Sequence, residues 1–109
     1  ALELYNTAAK RYPNLSNAYM LTGNLYSGEQ KYEEAAENYK KVISIEPSNE
    51  NAFMLLGNTC VMQKNIRDAI SYYKQAVDIA PDNDEIKLIY SELINEFINQ
   101  KYEEKEGQN

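Results

Sequence analysis

Asn24 and Asn58 stand 34 residues apart, and Met20 and Met54 are separated by the same interval. A carboxamide both donates and accepts hydrogen bonds, so two amides at equivalent places can bind the backbone of an extended peptide. Thioether side chains beside them suit an adaptable apolar surface. Catalytic groupings are missing. The 109 residues contain no His, which removes the imidazole base and the usual metal ligand. Cys60 is the single cysteine and lacks the partner a nucleophile needs, so it reads as a small buried thiol. Glu33, Glu34 and Glu37 cluster, but Lys40 and Lys41 follow Glu37 at helical spacing, which predicts surface ion pairing. Gly23, Gly28, Gly57 and Gly107 are isolated and build no phosphate-cradling loop. The residues point to binding, with no enzyme activity, metal or cofactor expected.

The elements that position these residues repeat. Gly23 recurs as Gly57, Ala35 as Ala69, Tyr39 as Tyr73 and Pro47 as Pro81, and Tyr19 becomes Phe53 on the same count. Self-similarity at this period is the mark of a helical array whose stacked surface holds other chains. Apolar residues at three- and four-residue spacing predict helices near 1–12, 17–29, 32–45, 51–63, 66–79 and 84–101. Pro13, Pro47 and Pro81 close segments because proline has no N–H to donate. Ser16 is expected to cap the second helix, and Ser48 and Asp82 to help cap the helices that follow them. Ala18, Tyr19, Leu21, Thr22, Leu25 and Tyr26 form the expected buried stripe of helix 17–29. Gly23 and Gly57 each cost about 1 kcal/mol inside a helix, which suggests that another helix approaches closely there. In the last helix Ile86, Tyr90, Leu93 and Phe97 form one stripe opposite a wide polar face, as a terminal helix needs. Residues 102–109 form a charged tail expected to fray.

Charge narrows the partners. The net charge is −6, distributed as −1 over residues 1–81 and −5 over residues 82–109. With no basic stripe, neither nucleic acid nor a membrane surface is an expected partner. No apolar run approaches the roughly 20 residues of a membrane span. The chain begins with Ala1 and shows no secretory leader, so a longer parent is expected. The absent leader and the unpaired cysteine suggest a cytoplasmic location.

Residues 16–83 resemble the tetratricopeptide repeat, a 34-residue helix–turn–helix unit. Tyr19, Gly23, Tyr26, Ala35, Tyr39 and Pro47 match its pattern in the first unit. Phe53, Leu56, Gly57, Ala69, Tyr73, Ala76 and Pro81 match it in the second. The departures are Thr22 for Leu, Val42 for Ala and Cys60 for Tyr. The same register places Ala1, Tyr5, Ala8 and Pro13 on a second helix, so residues 1–15 read as a half-repeat. The resemblance implies an all-α solenoid of antiparallel helix pairs. Its expected parts are half-repeat 1–15, repeats 16–49 and 50–83, capping helix 84–101 and tail 102–109.

The resemblance also implies a concave groove lined by the first helix of each pair. The lining positions are Asn17, Met20, Asn24 and Ser27, then Asn51, Met54, Asn58 and Val61, then Glu85, Leu88, Glu92 and Asn95. The family's clamp for chaperone carboxyl termini would place Met20, Asn24, Leu55, Glu85 and Ile89, of which only Asn24 fits. The expected ligand is therefore an apolar or basic peptide with its basic end near Glu85 and Glu92. A second expectation concerns Leu2, Tyr5 and Ala9, whose apolar face lacks a partner helix. It predicts a structural segment that self-associates through residues 1–15, or a preceding repeat in a longer chain; a regulatory annex of a larger enzyme is the third reading.

Overall fold

The computed structural model describes residues 16–107, with side chains through residue 103. The half-repeat residues Leu2, Tyr5 and Ala9 lie outside the described part. Five helices follow one another: α1 (Ser16–Gly28), α2 (Tyr32–Ile45), α3 (Glu50–Met62), α4 (Ile66–Ile79) and α5 (Asp84–Gly107). Among the described residues there is no strand. Packing is most extensive within the pairs α1–α2 and α3–α4, and α2–α3 and α4–α5 join the pairs in sequence. The resulting slab measures 56 × 30 × 18 Å, the shape of an array rather than a closed bundle.

Short, repeated connections set this arrangement. α1 ends in two backbone bonds, Gln30 N–H to Ser27 C=O at 3.0 Å and Lys31 N–H to Tyr26 C=O at 2.8 Å. α3 repeats them with Lys64 N–H to Val61 C=O at 2.9 Å and Asn65 N–H to Cys60 C=O at 2.8 Å. Both are Schellman stops, and their left-handed residues are Gln30 (φ 63°) and Lys64 (φ 62°) rather than glycine. The links between pairs are β-turns with proline second: Asn49 N–H bonds Glu46 C=O, and Asn83 N–H bonds Ala80 C=O, each at 3.1 Å.

The caps sit one residue beyond Ser48 and Asp82. Asn49 Oδ1 accepts from Ala52 N–H at 3.1 Å, and Asn83 Oδ1 accepts from Ile86 N–H at 3.2 Å. The four-residue proline turn consumes Ser48 and Asp82, so the next residue is the one poised over the orphan amides. Ser16 lies inside α1, and its hydroxyl bonds the Glu46 carboxylate instead. Lys41 departs from ion pairing as well: its ammonium lies 5.2 Å from the Tyr19 ring centroid. The ion pairs among the described residues are Lys31–Glu29 and Lys87–Asp84, both at 3.5 Å. α5 does not stop at residue 101 but continues through Gly107, so six residues of the expected fraying tail are helical.

The core follows the repeated positions. Ala35, Tyr39, Val42, Leu56, Ala69, Tyr73, Ala76 and Ile86 are buried almost completely. Thr22, where the family prefers Leu, is fully buried because its hydroxyl bonds Ala18 C=O at 2.7 Å within the helix. Leu21, expected in the buried stripe, is 44% exposed, since α1 turns its Tyr19–Thr22–Gly23 face inward. A methyl group built on Gly23 would lie 2.6 Å from the Tyr39 ring, and one on Gly57 would lie 2.5 Å from the Tyr73 ring. Gly28 has nothing within 4 Å of the same position.

Gly23→Ala and Gly57→Ala are each expected to lower stability in urea titration by about 1–2 kcal/mol, the overpacking cost outweighing the better helix propensity of alanine. Gly28→Ala is the control and should leave the midpoint unchanged or raise it. Equal behaviour of all three variants would contradict close approach at Gly23 and Gly57.

Candidate functional site

Three residues recur together in each pair. The Tyr39 ring lies against Gly23, and its hydroxyl donates to Asn24 Oδ1 at 2.6 Å. The Tyr73 ring lies against Gly57, and its hydroxyl donates to Asn58 Oδ1. Each tyrosine is enclosed in the core, whereas each asparagine is exposed on the first helix of its pair. The hydrogen bond therefore runs from the interior to the surface and fixes one rotamer of an exposed amide. The amide nitrogens of Asn24 and Asn58 have no protein partner among the described residues, so four N–H donors face outward.

The other expected groove residues divide by burial. Asn17, Asn51, Glu85, Leu88, Glu92 and Asn95 are exposed. Met20, Ser27, Met54 and Val61 are half-buried. Met20 packs on two clusters, one containing Tyr19 and Val42 and the other Tyr39 and Leu56, and Met54 and Val61 pack on the cluster around Phe53 and Tyr73. The methionines thus cover core residues with one side and leave the rest accessible. On each helix the four positions follow three- and four-residue steps, which makes one longitudinal stripe per helix. The tyrosine–asparagine bond was missed by sequence reasoning, although a signal existed: both pairs are separated by 15 residues.

Burial controls the ionisation of these groups. It pushes the Tyr39 hydroxyl above the ordinary tyrosine value. Burial also raises Tyr73. Asn58, whose amide can turn an N–H toward a phenolate, acts against it, and the negative Glu85 adds to it. The Cys60 thiol is raised first by burial and then by Asp68, with Lys40 opposing. Cys60 sits among Phe53, Ala69, Tyr73, Ala76, Ile86 and Leu93. That environment favours the protonated thiol and suits packing rather than nucleophilic attack. Among the described residues no group of three His, Cys, Asp or Glu is placed to hold a metal ion. No described helix is long and apolar enough to cross a membrane.

A raised tyrosine pKa has a definite sign in stability. The unfolded phenol ionises near pH 10, while the folded one still holds its proton, so the contribution is complete below about pH 10 and declines as pH rises through the folded value. Urea midpoints should therefore fall above about pH 10 in the parent protein. The decline should be shallower in the Tyr39→Phe, Tyr73→Phe double variant. Parallel curves would contradict burial as the cause of the shifts.

Both repeats show the same small-residue contact, the same buried aromatic and the same proline turn, and the comparisons with known proteins agree. The profile of the tetratricopeptide repeat family matches residues 26–93. No curated protein matches the chain. Among solved structures, a crystal structure of MamA superimposes with a TM-score of 0.79 at 18% identity, covering 88% of this chain and 56% of that one. A second MamA protein structure gives a TM-score of 0.72 at 24% identity, covering 78% of this chain and 46% of that one. The chain therefore spans about half the length of these structures, and at such identity the likeness concerns the fold. With a matching profile over most of its length and an all-helical array of paired elements, the chain belongs to the tetratricopeptide repeat family.

Proposed function

We propose that the first-helix stripes of α1, α3 and α5 hold an extended segment of a partner polypeptide, and that the chain acts as a non-catalytic interaction module. Repeats of this family typically serve protein interaction, which supports the coarse reading. The observation that carries the finer one is the pair of exposed Asn24 and Asn58 amides, each held in place by a buried tyrosine and each with unpartnered N–H donors. Peptide carbonyls are the complementary acceptors. A preset amide loses less rotamer freedom when it binds than a mobile one.

Neighbouring side chains suggest what the segment contains. Met20 and Met54 offer adaptable apolar contact, and Leu88 on α5 is 60% exposed. Glu85 and Glu92 on the same stripe favour a cationic residue at that end. The ligand that fits is an apolar peptide with a basic end. Asn17, Ser27, Asn51 and Val61 complete the lining.

Once an interacting protein has been identified by pull-down and mass spectrometry, calorimetry with the joint variant Asn24→Ala, Asn58→Ala tests this reading. Loss of two amide hydrogen bonds should weaken binding by about thirtyfold, from roughly 1 kcal/mol for each bond. The Tyr39→Phe, Tyr73→Phe variant releases the amides without deleting them and should show a smaller loss. Unchanged affinity in the alanine variant would remove the asparagines from the site.

A further inference from the structure

On the opposite side of the chemistry from the acidic stripe, a cationic cavity opens where the α3–α4 turn meets the far end of α5. Its volume is about 280 Å³, and its walls are Lys64, Asn65, Ile66, Arg67, Phe97, Gln100 and Lys101. Three walls are cations and none is a carboxylate, in a chain whose net charge is −6. Lys64 is held at the turn by its backbone bond to Val61. The Arg67 guanidinium lies 5.9 Å and the Lys101 ammonium 5.6 Å from the centroid of the Phe97 ring. None of the three cations has an ion-pair partner among the described residues. Asp68, whose carboxylate takes the Asn65 amide at 2.8 Å, does not line the cavity. Like charges gathered around one ring repel each other, and a bound anion is what relieves them.

A second cavity of about 270 Å³ adjoins the first and shares Phe97 and Lys101 with it. Its remaining walls are Ile98 and Tyr102, which are 51% and 66% exposed. One ring thus separates a cationic compartment from an apolar one. We infer that this double cavity is a binding site for a short acidic segment of a partner polypeptide, with a carboxylate among Lys64, Arg67 and Lys101 and a neighbouring apolar side chain over Ile98 and Tyr102.

The occupant follows from charge and size. A guanidinium fork pairs two-pronged with a carboxylate, and the ammonium groups add point charges. A free inorganic anion would leave the apolar compartment unused. A nucleic acid is a long polyanion, and Glu96 and Glu103, one turn to either side of Gln100 on α5, would repel its continuing phosphates. A segment with one or two acids beside an apolar residue uses both compartments and meets neither obstacle. This site is separate from the amide stripe and rests only on the reading that the module binds polypeptides.

The test uses the whole chain and a labelled probe, the pentapeptide Ser-Glu-Glu-Leu-Gly, against its Ser-Gln-Gln-Leu-Gly counterpart, followed by fluorescence anisotropy and amide chemical shifts. The acidic probe is expected to bind about tenfold or more tightly than the amide probe, and to weaken several-fold between about 50 and 300 mM salt. Shift changes should concentrate at residues 64–67 and 97–102. Arg67→Gln with Lys101→Gln should reduce the acidic probe to the level of the amide probe, whereas the Asn24→Ala, Asn58→Ala variant should bind it as the parent does. The comparison of the two probes needs no variant and stands even if the glutamine variant folds poorly. Equal binding of both probes, no saturable binding up to about 1 mM, or shifts centred elsewhere would overturn the site. Displacement of the acidic probe by inorganic phosphate at equal concentration would show a simple anion site and overturn the polypeptide assignment.

Discussion

The packing of one tyrosine ring on one helical glycine governs this molecule. Tyr39 on Gly23 and Tyr73 on Gly57 bring the two helices of each pair so close that even a methyl group cannot fit between them. The balance of energies explains why glycine persists there. A glycine inside a helix costs about 1 kcal/mol, whereas a tyrosine burying roughly 150–250 Å² contributes up to several kcal/mol at about 25 cal/mol per Å². The second term is an upper estimate, because the unfolded chain already hides part of that area, but it still exceeds the first.

The same ring connects the core with the surface. A phenylalanine would fill the space equally well, but only the hydroxyl of Tyr39 or Tyr73 reaches the amide of Asn24 or Asn58. Buried hydroxyls need acceptors, and the exposed asparagine supplies one. Stability and recognition thereby share a residue pair: what satisfies the buried tyrosine also orients the surface amide. In a linear array each repeat carries its own copy of this device, so the two amides are held alike without any long-range contact between them.

The chemistry of the two flanks differs because α5 belongs to neither complete pair. It closes the array with Ile86 and Leu93, exposes Glu85, Leu88 and Glu92 near its start, and returns Phe97 and Lys101 to the α3–α4 turn. Helical structure through Gly107 keeps Tyr102 and Lys101 on one rigid element with Phe97. A helix ending earlier would leave the apolar and cationic walls of that corner without fixed spacing. Glu85 and Glu92 of this helix thus lie toward the amide stripe, whereas Lys101 joins Lys64 and Arg67 beside the turn.

Local chemistry and period were legible in the chain itself. A 34-residue recurrence of Gly, Ala, Tyr and Pro determines paired helices, because small residues permit close approach and proline stops each unit wherever a backbone N–H would be needed. The boundaries of α2 and α4 follow from the same pattern. Sequence alone did not assign Asn49 and Asn83 as caps, since that depends on how many residues the proline turn consumes. It did not place Lys41 over Tyr19, because a lysine stem reaches partners on another helix as easily as on its own. Nor did it join Asn24 to Tyr39, or Arg67 to Phe97 and Lys101, residues brought together only when helices stack. Periodicity reports which face of a helix turns inward. Which polar groups meet across two helices depends on their separation and rotation, and those were decided by the rings of Tyr39 and Tyr73 resting on glycine.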